Sequence, residues 1–282
     1  MITHPFATPR WVQWPDRKSA AVSLTFDVDT VTGFPGENTR YARRPTSISE
    51  RRFGAVRGVP RIFELLRRHD IAATFFVSGD TVVRYPELVA QMLGEGHEVG
   101  HHGHMLLLGD KASPEQQAED MHAALAALAK ADAPKPVGYR SSSWESTLEA
   151  LDLLIETGFL YDSSCMGDDR HSRETCEGRS IRELPVHWSL NDYPMFVWTI
   201  ANGGNFSVLR TLMDTWLAEY ESTRRDGRHT TFTMHPEVIG RGSRFNQLER
   251  FIERLVADGD VWFARLDKVA EWAEPHLTQE TP

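Results

Sequence analysis

Short apolar runs of β-prone residues alternate along this chain with segments whose apolar residues return at helical spacing, and the alternation repeats about eight times. Strands that short and that apolar need cover on both faces, which points to a parallel sheet wrapped by helices. The runs Ala20 to Phe26, Ile71 to Val77, His97 to Gly100, Val137 to Arg140, Phe159 to Tyr161, Ile181 to Val186, Thr230 to Met234 and Val261 to Ala264 read as strands. Helical spacing fits Val59 to Arg68, Thr81 to Leu93, Pro114 to Lys130, Thr147 to Thr157, Val208 to Arg224, Arg244 to Ala257 and Leu266 to Ala273. Ser113 before Pro114 is a helix start by type, a hydroxyl cap followed by a residue whose missing N–H costs nothing there. No Pro/Gly/Ser linker separates halves, so one α/β barrel over residues 1–282 is expected.

One stretch lacks the rhythm. Thr30 to Gly58 shows no sustained period and carries Arg40, Arg43, Arg44, Arg51, Arg52 and Arg57 against Glu37 and Glu50. This surplus of positive charge sits in a chain of formal net charge −9, with 31 Lys and Arg against 40 Asp and Glu. The overall balance argues against a nucleic-acid partner. The 30–58 segment reads as an Arg-rich loop, of the length used for lids, interfaces and functional loops, or as a solvated loop held by surface ion pairs. The amino-terminal residues lack a basic region followed by an apolar one, and nowhere do about 18 apolar residues run together, so a cytoplasmic location with no membrane partner is expected. Cys165 and Cys176 are too few for a disulfide framework.

Chemistry concentrates at strand ends. Asp27 and Asp29, two apart at the end of an apolar run, point to the same side, where a parallel barrel carries its active site. Such a pair suits a division between base and metal ligand, although turn or N-cap duty fits the spacing too. Of twelve histidines, four lie between His97 and His104. His97 to His101 formally reads HExxH, but Gly94, Gly96, Gly100 and Gly103 around it make poor helix, which a zincin needs. Hydrogen bonding at a strand end is the plain role for His97, His101 and His104.

The ordered series TFDVD (Thr25 to Asp29), GHEVGHHGH (Gly96 to His104), YRSSSW (Tyr139 to Trp144), ELPVHWSLND (Glu183 to Asp192) and TMHPE (Thr233 to Glu237) resembles the polysaccharide deacetylase family, the NodB-homology carbohydrate esterases. It is most similar to the branch with an FDxD first motif, which includes peptidoglycan deacetylase-like, cyclic imide hydrolase and allantoinase-like enzymes. The resemblance covers about Ala20 to Ala273 and implies a distorted (β/α) TIM-like barrel of the NodB type. Residue by residue, it implies Asp27 as general base, Asp29 and His102 as metal ligands and Arg140 as the group that orients Asp27 and keeps it ionised. Asp192 would contact the catalytic Arg or His, and His235 would be the general acid. Trp144 and Trp188 would line the groove, and Phe232 and Met234 would flank the acyl group.

The implied cofactor is a divalent metal, zinc first. The family's second metal-binding His falls at position 106, where this chain has Leu106, so Asp29 and His102 stand one ligand short. Either His101 or His104 substitutes, or the enzyme works without metal as the allantoinase-like relatives do, or catalysis is lost. A second departure is Ser142, where the family often has Pro. The expected activity is hydrolysis of a carbon–nitrogen bond other than a peptide bond: N-deacetylation of an acetamido sugar, or opening of a small cyclic amide or imide. The alternative is a non-catalytic or metal-free ligand-binding member of the family. The expected partners are a small-molecule or saccharide substrate and, through the Arg-rich loop, a second copy of the chain in a homo-oligomer.

Overall fold

Nine consecutive buried residues, Ala20–Val28, form β1, the strand around which the computed structural model is organised; the structure describes residues 13–32, 43–198 and 209–273. Thr74–Val77 (β2), Glu98–His101 (β3), Gly138–Tyr139 (β4) and Tyr161–Asp162 (β5) follow on one side. Ser172–Cys176 (β6) and Arg179–Glu183 (β7) close that edge, while His229–Met234 (β8) and Val261–Phe263 (β9) pair with β1 on the other. All neighbours are parallel except β6 and β7. Between β7 and β8 the described residues show a single bridge, Asn191 to Thr233. The sheet therefore curls into a distorted barrel rather than a regular eight-fold one.

The helices are Pro45–Phe53 (α1), Val59–Arg68 (α2), Gly79–Arg84 (α3), Pro86–Gly94 (α4), Pro114–Lys130 (α5) and Leu148–Thr157 (α6). After them come Tyr193–Phe196 (α7), Leu209–Asp226 (α8), Pro236–Ile239 (α9), Gly242–Asp258 (α10) and Leu266–Ala273 (α11). Period-2 alternation along β1 decides what faces what. Leu24 and Phe26 point outward, where Phe26 stacks on Phe75 at 5.0 Å and Phe63 of α2 meets Phe75 edge-on at 5.5 Å. Burying each such ring contributes about 1.5–3 kcal/mol. Thr25 and Asp27 point inward, toward Arg140.

Three local expectations are corrected. The helix expected over Thr81 to Leu93 is two helices, because Pro86 starts α4 and leaves Tyr85 at φ −138°, outside the helical region. An antiparallel hairpin, β6 to β7, turns at Gly178 with φ +79°. Its first strand, Ser-Arg-Glu-Thr-Cys, is partly exposed and polar, so no apolar alternation marks it.

The third correction is the Arg-rich segment. Residues 33–42 lie outside the described residues, but Thr30–Thr32 is a short 3₁₀ turn and α1 occupies Pro45–Phe53. A π-helical turn, Gly54–Gly58, then joins α1 to α2 without a break. Pro60 explains the wide turn: it has no N–H for the carbonyl of Val56 and its ring crowds that carbonyl, so the helix opens by one residue. Gly58 lies directly against α9, where a Cβ would come within 2.2 Å of the Pro236 carbonyl oxygen. No helix among the described residues is long and apolar enough to cross a membrane.

Candidate active site

The carboxyl ends of β1, β3, β4 and β8 converge on a buried group of charged side chains. Asp27, the penultimate residue of β1, is 2% exposed; Arg140, just past β4, is fully buried. Arg140 Nη1 donates to Asp27 Oδ1 at 2.7 Å and to Thr25 Oγ1 at 2.9 Å, while Nε and Nη2 donate to the carbonyl and hydroxyl of Ser163 at 3.0 and 2.9 Å. Its guanidinium also lies 4.1 Å from the centre of the Phe76 ring. Held on three sides, the guanidinium fixes which carboxylate oxygen it takes and leaves Asp27 Oδ2 facing His235 Nε2 at 3.9 Å.

His235 follows β8 and is clamped from behind. Its Nδ1–H donates to Asp192 Oδ1 at 2.9 Å, and its backbone N–H reaches the same carboxylate at 3.1 Å. Burial alone would push the imidazole pKa down, but the hydrogen bond and charge of Asp192, with the charges of Asp27 and Asp29, outweigh it and hold it at about 9. His235 is thus an imidazolium at neutral pH, with Nε2–H directed toward Asp27.

Asp29 begins a second half of the site. His102 Nδ1–H donates to the Arg140 carbonyl at 2.8 Å, and its Nε2 lies 3.4 Å from Asp29 Oδ1. The carbonyl fixes the ring orientation, as outer partners do for metal-binding histidines. Burial pushes Asp29 up, but the neighbouring His102 imidazole, then the charges of His235 and Arg51, bring it down to about 2. Arg51 of α1 is 2% exposed, with Nη1 2.5 Å from Glu237 Oε1 and 3.9 Å from Asp29 Oδ2. Its Nη2 donates to the Tyr193 hydroxyl, and the Tyr193 ring packs on His235 at 4.8 Å.

Among the described residues, no three-donor divalent site assembles around this carboxylate. Asp29 Oδ1 is buried without a hydrogen-bond partner and His102 stands beside it, which makes two donors. Leu106, where the resemblance would put a third ligand, is an apolar side chain, 5% exposed with φ +55°, and a guanidinium faces the other oxygen of Asp29. His101 does not replace it: Nε2 donates to the Met121 carbonyl at 3.2 Å, Nδ1 accepts from the Gly103 N–H at 3.1 Å and burial pushes its pKa down to about 4. His104 packs against Gly79 of α3. Among the described residues, the group with three ligand-type atoms within 4.8 Å of one another is Asp162, Cys165 and Glu183, behind Arg140. There burial pushes Glu183 well up and Asp162 to about 6. Both cysteines are free thiols.

The expected groove residues divide. Trp144 is buried and Trp188 is 39% exposed, with ring centres 4.4 Å apart, and the Trp144 ring lies 6.0 Å from the Arg140 guanidinium. Phe232 and Met234 take the other side of the sheet: in register with Leu24 and Phe26, they face the helices, where Phe232 meets Trp216 and Phe251 at 5.3 and 5.0 Å. They do not flank an acyl group beside Asp27, because strand parity sends Thr233, not its neighbours, toward Thr25. Arg51, Tyr193 and Glu237 escape a reading of the sequence. Glu237 carries a signal, two residues after His235 in TMHPE; Arg51 carries none beyond its membership of a basic stretch.

Comparison with known proteins agrees with this geometry. Residues 15–161 match the family model described as polysaccharide deacetylase, about half of the chain. A peptidoglycan deacetylase of Helicobacter pylori is 24% identical over 286 residues, covering 90% of this chain and 96% of the relative. Among solved structures, a candidate polysaccharide deacetylase of Mycobacterium smegmatis superposes with a TM-score of 0.90 at 33% identity, covering 96% of both chains. Puue allantoinase shares the fold with a TM-score of 0.85 at 21% identity, covering 98% of this chain and 96% of the other. The strand-end constellation, the match to the family model and the near full-length likeness together place this chain in the polysaccharide deacetylase family, as a hydrolase of carbon–nitrogen bonds other than peptide bonds.

Proposed function

We propose that the chain hydrolyses a small amide or imide, with Asp27 as general base and His235 as general acid. One observation carries this reading: the two groups face each other at 3.9 Å, and each is clamped from the far side, Asp27 by Arg140 and His235 by Asp192. Asp27 Oδ2 takes a proton from water, the oxygen adds to the carbonyl carbon, and His235 Nε2–H protonates the departing nitrogen as the C–N bond breaks. Arg140 holds Asp27 in place, and Asp192 keeps Nδ1 protonated so that Nε2 is the acid. Opposite, Arg51 and His102 hold Asp29 ionised. A divalent metal would supply Lewis-acid polarisation of the carbonyl, but two donors facing a guanidinium do not match that demand, so this reading routes no step through a metal.

An acetamido-sugar substrate is the second reading, and Trp188 favours it. An exposed indole beside a buried one offers a flat apolar platform of the kind that packs on a sugar ring. A cytoplasmic setting and self-association belong to the same proposal, readable by cell fractionation and sedimentation. The deciding experiment incubates the protein with cyclic imides, cyclic ureides and N-acetylglucosamine oligomers, following ring opening and acetate release. Turnover of a small cyclic amide, lost in Asp27→Asn, is expected. Turnover of none of them, or an Asp27→Asn chain that turns over at the native rate, overturns the reading.

A further inference from the structure

Beside the catalytic group, on the far side of Arg51 and Glu237, lies a cavity of about 360 Å³ whose chemistry the hydrolytic mechanism does not use. Its basic wall is Arg241 and Arg244, at the start of α10. Arg241 donates to the carbonyls of Glu237 and Glu50, each at 3.3 Å, and its guanidinium lies 3.8 Å from the centre of the Phe53 ring. Arg244 donates to the Val238 carbonyl at 3.2 Å and lies over the Phe196 ring at 4.5 Å. Backbone oxygens and ring faces thus set both cations in place, and among the described residues neither has a carboxylate partner within 4.0 Å.

Several buried or half-buried guanidiniums among the described residues are neutralised by carboxylates. Arg51 has Glu237, Arg140 has Asp27, and Arg228 has Glu219 and Asp169. Arg244 is held by a carbonyl and a ring instead, although burial pulls its guanidinium below the ordinary value, so a bound anion would gain from a partly desolvated cation. The charge count sets the valence of that anion. Three arginines and two glutamates line the cavity, leaving one positive charge in surplus, which matches a monoanion better than a phosphate dianion. The remaining wall, Phe196, Val197 and Trp198, is apolar and suits a short carbon skeleton.

We propose that this cavity is a carboxylate-binding subsite, and that the substrate is a small amide bearing one carboxylate away from the bond that is broken. The inference rests on the hydrolase reading for the identity of the scissile bond, but not for the binding it asserts.

Calorimetric titration of the intact chain with glutaramate and with its neutral counterpart glutaramide tests it. The carboxylate compound is expected to bind at least tenfold more tightly, and Arg244→Gln and Arg241→Gln each to weaken it tenfold or more. Arg244→Lys, which keeps the charge, is expected to retain most of the affinity. Equal binding of the two compounds, unchanged glutaramate affinity in both glutamine variants, or inorganic phosphate binding more tightly than glutaramate overturns the assignment. Because binding is read without turnover, a chain that hydrolyses nothing yet passes this test loses the hydrolase reading and keeps the subsite.

Discussion

The Asp27 half and the Asp29 half of the site sit two residues apart in sequence and draw their guanidiniums from different kinds of element. Around Asp27 the partners lie at or near strand ends: Arg140 follows β4, His235 follows β8, and Asp192 adjoins the Asn191 to Thr233 bridge. There Asp27 Oδ1 is held by Arg140 and His235 Nδ1 by Asp192. Around Asp29, His102 also follows a strand, β3, but Arg51 comes from helix α1 and its partner Glu237 from α9, and one carboxylate oxygen stays without a hydrogen bond. A sheet holds geometry tightly and changes little, whereas a helix laid over its rim can bring a new charge to an old position. The contrast teaches that two carboxylates two residues apart can be held by different means, one by a guanidinium at a strand end and the other facing a guanidinium brought in by a helix.

The largest expected effect removes the strand-built half. Asp27→Asn should lower kcat by about 10²–10⁴-fold, the usual worth of a positioned base, in steady-state hydrolysis assays with the fold intact by circular dichroism. A loss under tenfold would mean that the base lies elsewhere. Next, breaking the helix-built half should register first in stability. Arg51→Gln strands Glu237 in the interior and should cost about 3–5 kcal/mol in denaturant unfolding, as for one partner of a buried pair, whereas the double change Arg51→Gln with Glu237→Gln should recover part of it. Equal cost in single and double variants would show that the pair is not coupled.

The halves also differ in pH response. His235 is raised to about 9 from an ordinary 6.5, so its contribution to stability is complete below about pH 6.5 and lost as pH rises through 9. Asp29 is lowered to about 2 from 3.8, so its contribution is present above pH 3.8 and lost as pH falls through 2. As a general acid His235 must be protonated, so kcat/KM should fall as pH rises past 9, and Asp192→Asn should move that limb down toward neutrality. A limb that stays in place in Asp192→Asn separates His235 from the acid role. The smallest effect probes the missing donor: Leu106→His should raise zinc affinity by roughly tenfold, and by more when combined with Arg51→Gln, measured by competition with a chelating dye.

What the sequence makes legible follows the same division. Strands ending in polar residues advertise themselves, because an apolar run that stops at a carboxylate has a physical reading of its own. Strand parity and motif order therefore place Asp27, Asp29, Arg140 and His235 together, and the structure brings them to one rim. Phe232 and Met234 show the limit of motif reading: adjacency to a catalytic residue in sequence is, in a strand, evidence for the opposite face. Arg51 is illegible for another reason. Its helix, Pro-Thr-Ser-Ile-Ser-Glu-Arg-Arg-Phe, buries a guanidinium rather than an apolar side chain, so there is no periodic signal to find, and its partners lie 142 and 186 residues away.

The π-helical turn at Gly54–Gly58 sets how far this site stands from its alternatives. One residue of α-helix corresponds to a rotation of about 100°. Deleting a single residue from that turn would swing the whole of α1 around its axis and carry Arg51 away from Asp29, with no other side chain altered. The presence of a fixed positive charge opposite Asp29 is, in genetic terms, worth one codon, and lineages of this fold could gain or lose it in a single step.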